Sequence, residues 1–227
     1  KLNTTSLSIK NISDTHGNYQ FFGLELYGNS WVNANDISIE NLQGQKTLSG
    51  IYTYGAGVRS NSITICNVKQ STPSTSTFCY VSGIHNRGGG IEAKSIIIEN
   101  IDGSNVKGTI ARGLHMDSYG QYVAVDNLKI DAVKAQGADA YGIWNQGQTL
   151  FNHAGNNSSE EVSISNVSSD KNAYGIFTTA NGSNKSQTYI KNLSIANIEG
   201  QNSFGIFNKD DSTVTVENNT TIKNLTS

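Results

Sequence analysis

His85 and Arg87 stand two and four residues after Gly83, and His115 and Asp117 stand two and four residues after Gly113. The same two offsets give Glu25 and Tyr27 after Gly23, and Tyr52 and Tyr54 after Gly50. They give Trp144 and Gln146 after Gly142, Phe177 and Thr179 after Gly175, and Phe207 and Lys209 after Gly205. Imidazoles exchange protons near neutral pH, and guanidinium groups hold carboxylates in a fork of N–H donors. Aromatic side chains beside them offer flat faces for sugar rings and polar tips for hydrogen bonds. A shared offset from glycine implies a shared backbone position, which makes Tyr52, Tyr54, His85, Arg87, His115, Asp117 and Trp144 a candidate binding patch. The plainer alternative is that like stacks on like in any repeating sheet, with the rings supporting the fold.

The elements that must carry these residues are repeats. The glycines are 27, 33, 30, 29, 33 and 30 residues apart, and each is followed by Leu or Ile: Leu24, Ile51, Ile84, Leu114, Ile143, Ile176 and Ile206. A second phrase runs in register with the first, in forms such as "SIKNI", "SIENL", "TICNV" and "IIENI". Its leading residues are Ile9, Ile39, Ile65, Ile98, Ile130, Ile164, Ile195 and Ile222, and all but one are followed two residues later by Asn. Ala132 is the exception. A weaker third strand precedes the second phrase, as in "WVNAND" and "GIEAKS".

Periods of 20–50 residues point to solenoids, propellers or arrays. Three short alternating strands in a unit of about 30 residues leave no room for a helix, and a propeller blade needs four strands in more residues. Leucine-rich repeats would show a longer leucine template. The expectation is an all-β, single-stranded parallel β-helix of about seven coils, right-handed as parallel crossovers are. Equivalent residues then form columns about 4.8 Å apart. The Leu/Ile column lies inside, and period two turns the residues at both offsets outward. The asparagines fall where the chain leaves a strand, where left-handed geometry suits Asn and stacked amides can bond from coil to coil.

Composition agrees. Twenty-eight asparagines and 23 glycines against a single proline, Pro73, suit many short strands with polar turns. Only 15% of residues are charged and the net charge is −2, which gives no electrostatic case for nucleic acid or an anionic membrane. No segment approaches the roughly 18 apolar residues of a membrane span. Residues 1–227 read as one continuous domain. The repeat is already running at its first residue and still running at its last, so a fragment of a longer chain is expected.

At this level the chain resembles the passenger domains of bacterial autotransporters, the pertactin-like β-helices. The resemblance covers essentially the whole chain and rests on its coils, its Asn-rich turns, its scarcity of proline and strand–turn–strand runs such as "VNANDISIENL". It implies secretion to the extracellular side of a bacterial cell, anchored through an outer-membrane part. It also implies an adhesive or structural stalk whose partners are surface proteins, glycans or other copies of itself.

Enzymatic readings stay open beside it. A polysaccharide lyase needs a base for the proton beside a uronate carboxyl and a cation for the developing charge, and the His/Arg/Asp cluster holds both. A glycosidase needs two carboxylates at a defined separation. Asp210 and Asp211 are adjacent, so their side chains should face opposite sides. No serine-hydrolase motif is present, and the histidines (His16, His85, His115, His153) have no metal-ligand spacing. No cofactor and no metal is expected.

Two features concern the connections. Cys66 and Cys79 flank twelve residues rich in Ser and Thr. A disulfide between them would close the longest run from a second phrase to the next glycine, 18 residues from Ile65 to Gly83, and is favoured by an oxidising compartment. Insertions at Lys69–Phe78 and Asn145–Glu160 are expected to protrude as irregular segments.

Overall fold

The computed structural model describes residues 1–14, 20–71, 79–117, 122–147, 149–150 and 159–227. Its first eight strands are β1 (Leu2–Ser13), β2 (Gln20–Tyr27), β3 (Trp31–Gly44), β4 (Thr47–Tyr54), β5 (Gly57–Gln70), β6 (Cys79–Asn86), β7 (Gly90–Asp102) and β8 (Thr109–Met116). The second eight are β9 (Tyr122–Ala135), β10 (Ala140–Gln146), β11 (Thr149–Leu150), β12 (Ser159–Ser169), β13 (Asn172–Thr179), β14 (Gln187–Glu199), β15 (Asn202–Asn208) and β16 (Thr213–Thr226). No helix occurs among the described residues.

The strands form two parallel sheets. One runs β2-β4-β6-β8-β10-β13-β15, and the other takes the remaining nine strands. Each coil contributes one strand to the seven-stranded sheet, which counts about seven coils of a β-solenoid; the nine-stranded sheet adds β1 before them and divides one coil between β11 and β12. The register is the one the repeats require. Ile39 pairs with Ile65, Ile65 with Ile98, and Ile98 with Ile130, while Ile51 pairs with Ile84 and Ile84 with Leu114. These residues are fully buried and join one continuous aliphatic core.

The expected third strand merges with the second phrase into single strands of 13 or 14 residues in most coils, such as β3, and stands apart as β11 in the coil of β12. The sheet turns a corner within each of them. In β3 burial alternates over Val32 and Ala34, breaks at the exposed pair Asn35–Asp36, and resumes at Ile37 and Ile39. A second bend follows at Asn41, whose φ is 57°, after which Leu42 points inward. Asn11, Asn67, Asn100, Asn166, Asn197 and Asn224 take the same left-handed conformation, and so does Ala132.

The amides at these bends form a ladder. Nδ2 of Asn41 donates to Oδ1 of Asn11 at 2.7 Å, Asn67 to Asn41 at 2.9 Å and Asn100 to Asn67 at 3.1 Å. Beyond the gap at Ala132 it resumes, with Asn197 donating to Asn166 at 3.0 Å and Asn224 to Asn197 at 2.8 Å.

The repeated glycines have a different cause, since none of the seven has a positive φ. A Cβ on Gly113 would lie 2.5 Å from Cγ2 of Ile130 and 2.7 Å from the carbonyl oxygen of Gly142 in the next coil. The backbone approaches both the core and its neighbour so closely that no side chain fits. The paired register skips each of these glycines, and side-chain alternation restarts there.

Of the two expected insertions, residues 72–78, 148 and 151–158 lie outside the described residues, while residues 69–70, 145–146 and 159–160 belong to β5, β10 and β12 rather than to irregular segments. Within the second, Thr149–Leu150 is a strand rather than an irregular segment, pairing with both β9 and β14. Cys66 and Cys79 are both free thiols, so the expected bridge is not formed. Cys66 lies half-buried on β5, where it pairs with Glu40 and Glu99, whereas Cys79 is buried at the start of β6 in the other sheet.

Candidate functional site on the outer face of the seven-stranded sheet

The residues two positions after each glycine form a column across the coils. Glu25 pairs with Tyr52, Tyr52 with His85, His85 with His115, His115 with Trp144, Trp144 with Phe177, and Phe177 with Phe207. Their rings touch in sequence. Centroids are 5.1 Å apart for Tyr52–His85, 4.5 Å for His85–His115 and 4.9 Å for His115–Trp144. The column faces outward, with the Leu/Ile column buried behind it, but it is less open to solvent than its position implied. Tyr52 is only 5% exposed and His115 only 4%.

The cover comes from residues that sequence reasoning missed. The position just before each glycine also faces outward, because alternation restarts at the glycine. It carries Phe22, Ser49, Ser82, Arg112, Tyr141, Tyr174 and Phe204. Phe22 stacks on Tyr52 at 4.5 Å, Tyr141 on Trp144 at 4.7 Å and Tyr141 on Tyr174 at 4.9 Å. The signal was available in the recurrent "YG" and "FG" pairs, but a strict period of two assigns these side chains to the interior.

Arg112 is the most consequential of them. It is 3% exposed, yet no carboxylate bonds to it among the described residues. Its guanidinium lies over Tyr80 at 4.4 Å and over Trp144 at 5.5 Å. Nη1 donates to Nδ1 of His115 at 2.7 Å. An arginine can only donate, so Nδ1 of His115 is the acceptor and the ring proton sits on Nε2.

Tyr54, Arg87 and Asp117 lie beside this column. Arg87 Nε is 3.4 Å from Asp117 Oδ2, and the Arg87 guanidinium rests 5.6 Å from the ring of Tyr54, which is 46% exposed. His85 Nε2 approaches the same Asp117 oxygen at 3.6 Å. This is not an ion pair at neutral pH. Burial pushes the His85 pKa down to about 4 despite the opposing pull of Asp117. Burial, then the charge of Arg112, and then His85 hold His115 well below the usual imidazole value. Burial also brings the Arg112 guanidinium down to about 10, which leaves it charged.

All seven candidate residues therefore lie on one face. Tyr52, His85, Arg87, His115, Asp117 and Trp144 line a cleft of about 320 Å3 together with Arg112 and Tyr80, while Tyr54 stands at its margin. Among the described residues lining it, Asp117 is the only acid. Its charges are two fixed cations, one carboxylate and two neutral imidazoles. Asp210 and Asp211 both have left-handed backbones at the turn after β15 and do not line this cleft.

No family model matches the chain, and neither the curated proteins nor the solved structures compared with it give a significant match. The geometry of the cleft thus carries the functional reading by itself.

Proposed function

We propose that this β-solenoid is the passenger stalk of an autotransporter-type surface protein and that it binds glycans through the outer face of its seven-stranded sheet. The observation that carries the binding role is the cleft, in which the rings of Tyr80 and Trp144 flank the guanidinium of Arg112. Aromatic faces cover the apolar face of a pyranose, and converging N–H groups select its hydroxyl and acidic substituents. The β-solenoid, its Asn-lined bends and its extended parallel stack are compatible with an extracellular adhesive stalk. Binding to a panel of immobilised glycans and matrix proteins tests the role, with Trp144→Ala as the paired variant. Retention of a glycan by the native chain and its loss in the variant is the expected result; equal retention by both would remove the cleft from the account.

A second reading, a polysaccharide-acting enzyme, is favoured by one observation. His85 is neutral at pH 7 and sits beside Asp117 and Arg87, so a base and a cation share the cleft. Lyase action on a uronate polymer would release an unsaturated product absorbing in the ultraviolet. Turnover lost in His85→Gln with binding kept would establish this reading over simple adhesion.

A further inference from the structure

Among the residues that line this cleft, the buried side-chain N–H groups Nε of Arg112, Nε2 of His115 and Nε1 of Trp144 have no hydrogen-bond acceptor. A buried donor left without an acceptor forfeits its hydration, at a greater cost when it is charged. A fold would not be expected to gather three of them around one guanidinium without a ligand to accept them. The tautomer of His115 matters here. Because Arg112 occupies Nδ1, the Nε2 atom can only donate, so the imidazole joins the guanidinium and the indole as a donor. The cleft also retains one positive charge beyond what Asp117 balances. Two requirements follow: the ligand must bring an anionic group with at least two acceptor oxygens, and it must bring a ring to lie against Tyr80 or Trp144, the partly exposed rings of the cleft.

We infer that the cleft takes the carboxylate of an acidic sugar, seated on Arg112, His115 and Trp144, with the pyranose ring packed against the flanking aromatics. The inference rests on the glycan-binding reading above and narrows it to one substrate class. The apolar continuation of the same face, through Tyr141, Tyr174, Phe177 and Phe207, sets a direction. Neighbouring sugars would extend from the anchored residue toward these coils, where stacking replaces charge.

The test uses the whole chain and four probes: an oligogalacturonate, its methyl ester, benzoate and inorganic sulfate. Affinity is read by calorimetry, and contact at the site by the indole N–H resonance of Trp144, assigned through Trp144→Phe. The acid oligomer should bind at least about tenfold more tightly than its ester, the usual scale for a charge-assisted pair. It should shift the indole resonance, and Arg112→Gln should abolish the difference between acid and ester. The acid-to-ester ratio is measured on the unmutated chain, so it stands even if Arg112→Gln does not fold. Equal binding of acid and ester would overturn the carboxylate seat while leaving glycan binding intact. Benzoate binding with no affinity for either oligomer would keep the anion seat and overturn the sugar. Failure of all four probes to bind would overturn both.

Discussion

Nδ2 of Asn166 donates to Oδ1 of Asp131 at 2.7 Å, reaching the residue beside Ala132 because Ala132 has no amide to offer. Here the column of left-handed asparagines is interrupted and patched from the adjacent position. The left-handed conformation costs an ordinary L-residue about 1–2 kcal/mol, and Asn tolerates it better than Ala. Ala132→Asn should therefore relieve strain and place an amide between Asn100 and Asn166. A gain of about 1 kcal/mol in unfolding free energy is expected, read from chemical denaturation. A loss of stability would mean that the patch through Asp131 is worth more than the missing rung.

Stability should fall on mild acidification. The pKa of His85 is about 4 in the fold against an ordinary value of 6.5, so the unfolded chain takes up the proton first as pH drops. The contribution is whole above about pH 6.5 and is lost progressively toward pH 4, on the order of 3 kcal/mol across the window. His115 shifts in the same direction and adds to the slope. Urea unfolding between pH 7.5 and 4.5 measures it above the range where carboxylates dominate. His85→Gln should flatten the profile, and a native chain indifferent to pH in this range would contradict the buried, neutral assignment.

Gly113→Ala should destabilise the chain by about 1–3 kcal/mol, the usual scale for overpacking a closed core. The added methyl would meet the carbonyl of Gly142, which is backbone and cannot swing aside. Gly182 is the internal comparison, because a Cβ there meets nothing within 4 Å and only its φ of 60° resists the change. A larger loss at Gly182 than at Gly113 in thermal unfolding would show that conformation, not space, selects the glycines.

The thiols should differ in reactivity. Cys66 is half-buried, and burial together with Glu40 and Glu99 raises its pKa, so it should alkylate slowly in the native state. Cys79, at 2% exposure, should not react until the fold opens. Mass spectrometry should find at most one label under native conditions and two in denaturant. Rapid native labelling of Cys79 would place its strand elsewhere.

Much of this architecture is legible in the sequence because a solenoid writes its register as a period. The recurrence of the Gly-Ile and Ile-x-Asn phrases suffices to align Ile39 with Ile65 and His85 with His115, as the strand pairing does. What period two could not reveal is the break in alternation at each glycine. It turned Arg112, Tyr141 and Tyr174 outward and covered a column expected to be open. The Cys66–Cys79 bridge failed for a related reason. Nearness in sequence says little about nearness in space once one residue lies in each sheet.

The asparagine ladder has a consequence for how such a molecule can change over evolutionary time. Every rung points the same way, Nδ2 to the Oδ1 of the preceding coil, and each coil meets its neighbours through nearly the same set of columns. Inserting or deleting one whole unit of about 30 residues would rejoin each column without a mismatch, whereas a shift of a few residues would break all of them at once. Length is therefore a freely variable trait of this architecture, while its cross-section is locked. The cleft around Arg112 draws on five adjacent coils, from β2 to β10, so units added or lost beyond them would move it along the stack without rebuilding it.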